Sequence, residues 1–389
     1  MSTHNSTQYT TRWQQRAGIW IGIGINPASI TLGGGLASRL PLSALWWLMP
    51  LGAAILCCLA GSCGVIARRR REPFAKWSVS TFGLGAGALL LNVMMATGMM
   101  GWSGFQLGLA GTSLANILSL RGWMGIVLLA VAIFVFSGLG VNRWNRLVWV
   151  TTTASLALVL VALAIVGGNS AETIPSDTLT LSSSIYVIGS IISFAALFSL
   201  RSSDFAWDLQ SDRDVWMDAG LFFVVLTISM FVGALLYNAT GSWNLDTIMA
   251  ATPYAVLGQV FIIISLLSAT LSTLHSGSLA LAEVVRIPPR VSAAIFLMVG
   301  TGLGITRFDR RLLPFLEWIG AATPPAIAVM IAYALLKRPL SSRLMLTAWL
   351  VGAGVAVVFK LNGGLVHLAA GAATSLLVLA IGTWMEARP

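Results

Sequence analysis

The residues best suited to bind a ligand lie in one short segment of this sequence, GWSGFQ, at positions 101–106. Trp102 and Gln106 are four residues apart, so on a helix they share one face. An indole offers a flat stacking surface, and a carboxamide offers a hydrogen-bond donor and an acceptor together. The pair therefore fits a planar heterocycle that forms hydrogen bonds. The alternative is ordinary packing, because the chain contains 15 tryptophans.

Other reactive residue types form no catalytic or metal-binding motif. Cys57, Cys58 and Cys63 share one apolar run, and their spacing matches neither a metal site nor a redox motif. The HExxH, P-loop and nucleophile-elbow patterns are missing from the sequence. We therefore do not expect an enzyme, and these residues predict no cofactor.

The composition predicts an all-helical protein embedded in a membrane. Of 389 residues, 57% are hydrophobic and 9% are charged, and the mean hydropathy is +0.86. A membrane-spanning helix needs about 20 apolar residues. The sequence predicts twelve spans, at 16–40, 43–67, 84–116, 122–141, 146–168, 183–203, 216–239, 253–285, 291–307, 312–336, 342–360 and 363–384.

The basic residues predict how these spans are oriented. With the N terminus in the cytoplasm, 17 of the 23 lysines and arginines fall on the cytoplasmic side, Arg201 among them, and 6 fall outside. The run RRRR at 68–71 fits an anchor at anionic lipids. The net charge of +10 therefore requires no nucleic-acid partner. We predict an inner-membrane protein that contacts lipid and has both termini in the cytoplasm.

Two of the spans are interrupted by residues that weaken a helix. In the first span, Pro27 removes a backbone donor next to Gly22, Gly24 and Asn26. In the sixth, the interruption falls at 189–193, where Gly189, Ser190 and Ser193 lie. Broken helices in corresponding positions of two five-helix halves are typical of inverted-repeat transporters, which bind substrate and ions between the repeats. For the first span alone, a simple proline kink is the alternative.

Four segments resemble elements of the nucleobase:cation symporter-1 family, whose members carry cytosine, hydantoins and related compounds. They are TFGLGAG at 81–87, GWSGFQ at 101–106, SSDF at 202–205 and IGAATPPAIAVMIAYALLKR at 319–338. The resemblance implies a transporter with the leucine-transporter-like five-plus-five repeat, in which helices 1 and 6 are broken. We accordingly expect an N-terminal tail at 1–15, a ten-helix transport core at 16–338, and two further helices with a short tail at 339–389.

The resemblance also implies which residues bind the substrate. Trp102 would stack on it and Gln106 would bond to its edge, as the corresponding residues do in the family. The other substrate-binding residues expected on helices 1, 6 and 8 are Ile23, Asn26, Ser190, Ser193, Phe194 and Ser265.

The family's sodium site lies between helices 1 and 8. The ligands that this implies here are the carbonyls of Gly22 and Ile25 with oxygens of Ser265, Ser268 and Thr270. Ala269 stands where a second hydroxyl is expected, so this chain departs from the sodium pattern. Proton coupling through His275, on the same helix, is the alternative, because an imidazole titrates near physiological pH.

These observations predict a secondary active transporter that takes up a nucleobase or related planar nitrogen heterocycle with Na⁺ or H⁺. The substrate class covers cytosine-like pyrimidines, hydroxymethylpyrimidine, purines and hydantoins. Two alternatives stay open: a membrane sensor or scaffold that keeps the fold without transporting, and a proton-coupled transporter of another small heterocycle. The sequence sets no oligomeric state, and a monomer is compatible with it.

Overall fold

The computed structural model describes residues 11–83, 85–138, 141–168, 178–336, 340–362 and 366–386. These residues form helices joined by short connections. The helices are α1 Trp13–Gly24, α2 Pro27–Ala37, α3 Leu42–Arg70, α4 Phe74–Phe82, α5 Ala86–Ile117, α6 Gly122–Ser137, α7 Val141–Gly168, α8 Leu181–Phe194, α9 Ala196–Ala206, α10 Asp212–Thr240, α11 Leu245–Ala250, α12 Ala255–Val285, α13 Pro289–Ile305, α14 Leu312–Leu336, α15 Ser342–Leu361 and α16 His367–Glu386.

The chain crosses a membrane several times, as its composition predicts. Within the described residues, ten helical stretches are long and apolar enough to span, counting α1 with α2 and α8 with α9 as single spans. The two remaining predicted spans correspond to α6 and α13, apolar helices of 16 and 17 residues. The predicted set of twelve helices is thereby confirmed. The short helices α4 and α11 and a 3₁₀ turn at Phe308–Arg311 were not predicted.

The first span breaks between α1 and α2, at Ile25 and Asn26. Both residues have extended backbone, with φ of −107° and −152°. Pro27 follows as the first residue of α2, where its missing N–H costs nothing and its fixed φ suits the start of a helix. The predicted break is therefore a new helix start, and a continuous helix with a proline kink is excluded.

The sixth span breaks five spans later, at Ala195 between α8 and α9. Ala195 has φ −123° and ψ 25°, outside the helical range. The residues expected to interrupt this span instead lie within α8, where the Ser193 hydroxyl donates to the Gly189 carbonyl at 2.7 Å. That bond lies within the helix and does not disturb it. The break in the sixth span is confirmed, and it lies C-terminal to the predicted position.

Small residues let the broken helices approach their neighbours. A Cβ atom on Gly33 of α2 would overlap the carbonyl of Met230, and one on Gly233 of α10 would overlap the carbonyl of Ile30. Backbones this close require glycine on both helices. The broken helices thus pack in the centre of the bundle, where all residues of α2 are buried. Helices α15 and α16 pack on each other and on α14.

Charged side chains gather at the two ends of the bundle. At the end where α1 begins, which we call the α1 end, Arg16 pairs with Asp208, and Arg68 pairs with Asp212 at 2.6 Å. Because successive spans alternate in direction, α3, α9 and α12 also finish at this end. The C-terminal ends of α3, α9 and α12 therefore lie at the α1 end, together with the start of α1.

At the opposite end, Arg307 binds two carboxylates. Its guanidinium lies 2.7 Å from Asp246 on α11 and 2.8 Å from Asp309 in the 3₁₀ turn. Burial alone would lower the pKa of Arg307, but the hydrogen bonds and charges of Asp309 and Asp246 raise that pKa above its ordinary value. These ion pairs join the segment before α12 to the segment before α14.

Candidate functional site

A small cavity lies at the centre of the bundle, between the two helix breaks. Its volume is ≈ 40 Å³, which is room for only a few water molecules. It is lined by Ile23, Asn26, Ala28, Met99, Trp102, Gln106, Phe194, Ala195, Phe198, Arg201, Ala269, Ser272 and Thr273. A ligand larger than a few waters would therefore have to displace some of these side chains.

Trp102 lies on the cavity wall among three phenyl rings. Its ring centroid is 5.2 Å from that of Phe194, 5.6 Å from that of Phe315 and 5.8 Å from that of Phe105. The interplanar angles of 87°, 81° and 79° make all three contacts edge-to-face. The indole is thus held in one orientation by aromatic neighbours from α5, α8 and α14 while it lines the cavity.

Gln106 brings an unused acceptor to the same wall. Its Nε2 donates to the Thr273 hydroxyl on α12 at 3.4 Å, which is a long hydrogen bond. Its Oε1 is buried and has no hydrogen-bond partner. A buried amide oxygen without a partner is costly. The carboxamide therefore has capacity left for a ligand.

Asn26 connects the two halves of the broken first span. Its Oδ1 accepts from the backbone N–H of Ala28 at 2.8 Å and of Ser29 at 3.3 Å, capping α2. Its Nδ2 donates to the carbonyls of Ile23 at 2.6 Å and Gly22 at 3.3 Å. The acceptors at the end of α1 and the donors at the start of α2 are thus satisfied by one side chain. Asn26 lines the cavity, and most of its hydrogen-bonding capacity is already used.

Arg201 is the charged residue of the cavity wall, and it is not among the sequence-predicted site residues. The sequence places it on the cytoplasmic side, yet its side chain is buried, with 3% of the residue exposed. Its Nη2 donates to the Ser272 carbonyl at 2.6 Å, and its Nη1 lies 3.5 Å from the sulfur of Met99. An arginine three residues before the Asp-Phe element at 204–205, within a predicted span, is the sequence signal that could have marked it.

The sequence-predicted substrate residues divide into two groups. Trp102, Gln106, Ile23, Asn26 and Phe194 line the central cavity. The three serines Ser190, Ser193 and Ser265 are buried but do not line it.

The hydroxyls of two of these serines point to their own helices. Ser193 donates to Gly189, and Ser265 donates to the Ile262 carbonyl at 3.0 Å. Such bonds leave each hydroxyl satisfied within its helix, away from the cavity. A part in substrate binding stays a prediction for all eight residues.

The candidate cation ligands are brought together only in part. Gly22 and Ser268 are neighbours, because a Cβ on Gly22 would lie 3.3 Å from the Ser268 hydroxyl. That hydroxyl accepts from Thr151 at 2.9 Å, and Thr270 donates to the Leu266 carbonyl at 2.7 Å. The Gly22 carbonyl faces the Nδ2 donor of Asn26, which is unfavourable for a cation at that oxygen.

Ile25, another candidate ligand, is buried at the break itself. Among the described residues, no cluster of three or more histidine, cysteine or acidic side chains could hold a metal ion.

His275 lies away from the central cavity. It lines a separate groove, together with residues of α6 and α13, among them Val135 and Ala293. Its neighbours on α12 that face the cavity are Ser272 and Thr273. Proton coupling through His275 stays a prediction, and it would have to act from the far side of α12.

Two further cavities lead from the centre toward the α1 end. The next cavity has a volume of ≈ 180 Å³ and shares Arg201 with the central one. The outermost, of ≈ 660 Å³, shares Asn92 and Glu283 with the middle one. Successive cavities therefore share lining residues and increase in volume toward the α1 end, and Arg201 lies between the central cavity and the middle one.

A second ionisable group that the sequence analysis did not single out is Asp218 of α10. It is fully buried, and neither carboxylate oxygen has a hydrogen-bond partner. The indole Nε1 of Trp20, on α1, is also buried without a partner. Phe222, one helical turn after Asp218 on α10, contacts Trp20. Trp20 in turn contacts Phe198 of the cavity wall, with centroids 4.9 Å apart. Asp218 therefore lies one helical turn from an aromatic cluster that reaches the cavity.

No protein-family model and no curated protein matches the sequence, but the fold matches solved transporters over nearly the whole chain. An inward-facing conformation of Mhp1 is similar at 17% identity and TM-score 0.76, covering 99% of this chain and 95% of that one. Mhp1 of the nucleobase-cation-symport-1 family, closed with bromovinylhydantoin bound, gives 16% identity and 0.75, covering 99% and 96%. A Na⁺-coupled sialic acid symporter gives 12% identity and 0.67, covering 97% and 91%.

These similarities define the class of fold: a leucine-transporter-like helical bundle with helices 1 and 6 broken, as found in secondary transporters. The resemblance to the nucleobase:cation symporter-1 family is confirmed at the level of the fold, since Mhp1 is a member. The solved neighbours are transporters, in agreement with the expectation that the chain is not an enzyme.

Proposed function

We propose that this protein is a secondary active transporter of a planar nitrogen heterocycle, such as a nucleobase or hydantoin. The observation that carries the proposal is the central cavity, which lies between two helix breaks and combines the Trp102 and Phe194 rings with the unsatisfied amide oxygen of Gln106. An aromatic wall favours a flat ligand, and the amide favours one with polar edges. Mhp1, which has the same fold, binds bromovinylhydantoin.

The row of cavities supports transport by alternating access. The cavities extend from the centre toward the α1 end, whereas the Arg307 ion pairs hold segments together at the opposite end. The broken helices supply places where half-helices can pivot. We place the α1 end in the cytoplasm of an inner-membrane protein, with both termini inside, because 17 of 23 basic residues are predicted there. The transport core is then 16–338, and 339–389 is peripheral to it.

The coupling ion is proposed to be Na⁺ or H⁺. In favour of a cation, Gly22 and the Ser268 hydroxyl are neighbours across α1 and α12, and a sialic acid symporter of the same fold is Na⁺-coupled. Against sodium at this position, the Asn26 amide already donates to Gly22, and Ala269 supplies no hydroxyl. A proton carried on Asp218 or His275 is the alternative.

Counterflow into proteoliposomes tests the proposed function. Purified protein, reconstituted with an excess of unlabelled cytosine, uracil, hydantoin or hydroxymethylpyrimidine inside, should accumulate the labelled compound transiently. Runs with and without sodium, and with and without a pH gradient, identify the ion. Binding without any exchange would reject transport and favour a sensor or scaffold.

Two substitutions connect such transport to the cavity. Trp102→Ala removes a stacking surface of about 1 kcal/mol and should weaken binding several-fold, with Phe retaining part of it. Gln106→Leu keeps the size but leaves the ligand's polar edge unpaired, so it should discriminate most against ligands with the most exocyclic donors and acceptors. Trp149→Ala is the control, because Trp149 of α7 is 56% exposed on the outer surface of the bundle. Equal affinity of Trp102→Ala and the parent would contradict the assignment.

A further inference from the structure

The central cavity carries a single charged group. Of its lining residues, only Arg201 is ionised at neutral pH, and the others are apolar, amide or hydroxyl side chains. A planar guanidinium that is 3% exposed at membrane depth is costly unless an opposite charge or several acceptors compensate it. The cavity is therefore positively charged. If the protein does not compensate this charge, a ligand with a negative charge is favoured.

The protein supplies only part of the compensation. Nη2 has one good acceptor in the Ser272 carbonyl at 2.6 Å, and Nη1 has only a thioether sulfur, which is a weak acceptor, at 3.5 Å. Nε is buried and has no hydrogen-bond partner. No carboxylate of the described residues forms a salt bridge with Arg201. The guanidinium thus retains donors that no part of the described chain uses.

The nearest acidic residues line the other two cavities and not the central one. Asp204, three residues along α9, lines the middle cavity, and its Oδ1 accepts from the backbone N–H of Phe74 at 2.8 Å. Its charge acts on Arg201 at a distance. Glu283 lines the middle and outer cavities. Both carboxylates therefore lie toward the α1 end, beyond the guanidinium.

Arg201 is within reach of a ligand that also contacts Trp102 and Gln106. Its Nη1 touches Met99, which precedes Trp102 by three residues and so lies on the same face of α5. Its Nη2 binds the carbonyl of Ser272, next to Thr273, whose hydroxyl holds the Gln106 amide. The Trp102 ring, the Gln106 amide and the Arg201 guanidinium therefore all face the same small cavity.

We infer that Arg201 binds an anionic group of the substrate, so that the cavity takes a planar heterocycle bearing a carboxylate in preference to a neutral one. The inference rests on the proposed function, and it narrows the substrate class of that same site. A carboxylate fits because its two oxygens match the fork of guanidinium N–H groups and form charge-assisted hydrogen bonds. The ring would lie on Trp102, and its polar edge would face Gln106.

Matched pairs of compounds test this preference on the purified full-length protein. The pairs are orotate with uracil and nicotinate with nicotinamide, in which the ring is kept and the carboxylate is removed or neutralised. Calorimetric titration at neutral pH should give at least tenfold tighter binding for the carboxylate member of at least one pair, which is about 1.4 kcal/mol. Competition against labelled counterflow should give the same ranking.

Substitutions assign the preference to the guanidinium. Arg201→Gln should cost the carboxylate member at least tenfold more affinity than the neutral member. Arg201→Lys should keep part of the preference, because it keeps the charge and loses the fork. Arg121→Gln, at an exposed arginine before α6, is the matched control and should leave the preference unchanged. If Arg201→Gln does not fold, the ranking on the parent chain and on Arg201→Lys still decides.

The outcomes separate this inference from the proposed function. Neutral members that bind and exchange as well as their carboxylate partners would overturn the anion assignment and leave heterocycle transport standing. A carboxylate preference that persists in Arg201→Gln would also overturn it. If neither the pairs nor the neutral heterocycles bind or exchange, the inference and the proposed function fail together.

Discussion

Replacing Asn26 is expected to open the first helix break, because this side chain bonds to both half-helices. Its Oδ1 accepts from Ala28 and Ser29, and its Nδ2 donates to Gly22 and Ile23. Asn26→Ala loses an N-terminal cap, worth about 0.5–2 kcal/mol, and leaves two carbonyls short of a donor, at roughly 1–3 kcal/mol. Because the break adjoins a cavity that water can enter, we expect a total of about 2–4 kcal/mol.

Asn26→Asp separates the effect of capping α2 from the effect of donating to the carbonyls at the end of α1. The carboxylate keeps the acceptor that caps α2, but its second oxygen meets the carbonyl oxygens of Gly22 and Ile23 at the end of α1. Three oxygens in contact repel one another unless a cation or a proton lies between them. The variant should therefore be less stable than the parent in sodium-free buffer at neutral pH, and it should recover on addition of sodium or at lower pH, where the carboxyl can donate.

Thermal unfolding in detergent, with sodium or N-methylglucamine chloride at equal ionic strength, measures both effects. Asn92→Ala is the matched control: Asn92 is a buried asparagine whose Nδ2 donates within its own helix, to Ala88 at 3.0 Å, so its loss should cost less. Unfolding of Asn26→Ala at the parent temperature would contradict this role of Asn26, and so would a stability of Asn26→Asp that responds neither to sodium nor to pH.

Three further outcomes are expected. Arg307→Gln leaves two buried carboxylates unpaired and should lower the unfolding free energy by about 1–3 kcal/mol. Because the pKa of Arg307 is raised, its contribution to stability is complete at neutral pH and is lost only as the pH rises through the folded-state pKa. The loss of stability measured by thermal unfolding should therefore stay constant across neutral and mildly alkaline pH. Asp218→Asn should keep the fold and, if protons drive uptake, abolish accumulation against a gradient while exchange persists; unchanged accumulation would exclude this carboxyl as the proton carrier. In a chain without its native cysteines, Leu120→Cys should react with an impermeant thiol reagent in intact cells and Arg290→Cys should not, and the reverse pattern would invert the proposed orientation.

The first helix break was predictable because its determinants are local. Pro27 cannot continue α1, and an asparagine immediately before it is a preferred cap, so the new helix start follows from two adjacent residues. The break at Ala195 has no such signature, since alanine favours helix. The glycine and serines that suggested a break in the sixth span lie in regular helix, so tertiary packing decides where this span breaks. Helix propensity alone could show only that this span contains residues that weaken a helix, and not where the helix breaks.

The aromatic and amide part of the site follows from helical spacing, whereas its charge does not. Trp102 and Gln106 lie four residues apart on one helix, so they share a face before any tertiary structure is known. Their capacity to bind a ligand depends on what surrounds them, and spacing cannot show that Oε1 of Gln106 has no partner or that Phe194 meets the indole edge-to-face. Those facts come from α8 and α12, which are distant in sequence.

The count of basic residues predicts an orientation, but it cannot show that Arg201 itself lies inside the bundle. Without it, 16 of the remaining basic residues still fall on the predicted cytoplasmic side against 6 outside, so the orientation does not depend on it. The sequence reads FSLRSSDF, and nothing local distinguishes an arginine at the membrane surface from one in the last full turns of a span. The structure makes that distinction through Ser272 and Met99, which hold the guanidinium inside the bundle. An arginine with unused donors on the central cavity is costly, and an anionic substrate would offset that cost directly by pairing with the guanidinium.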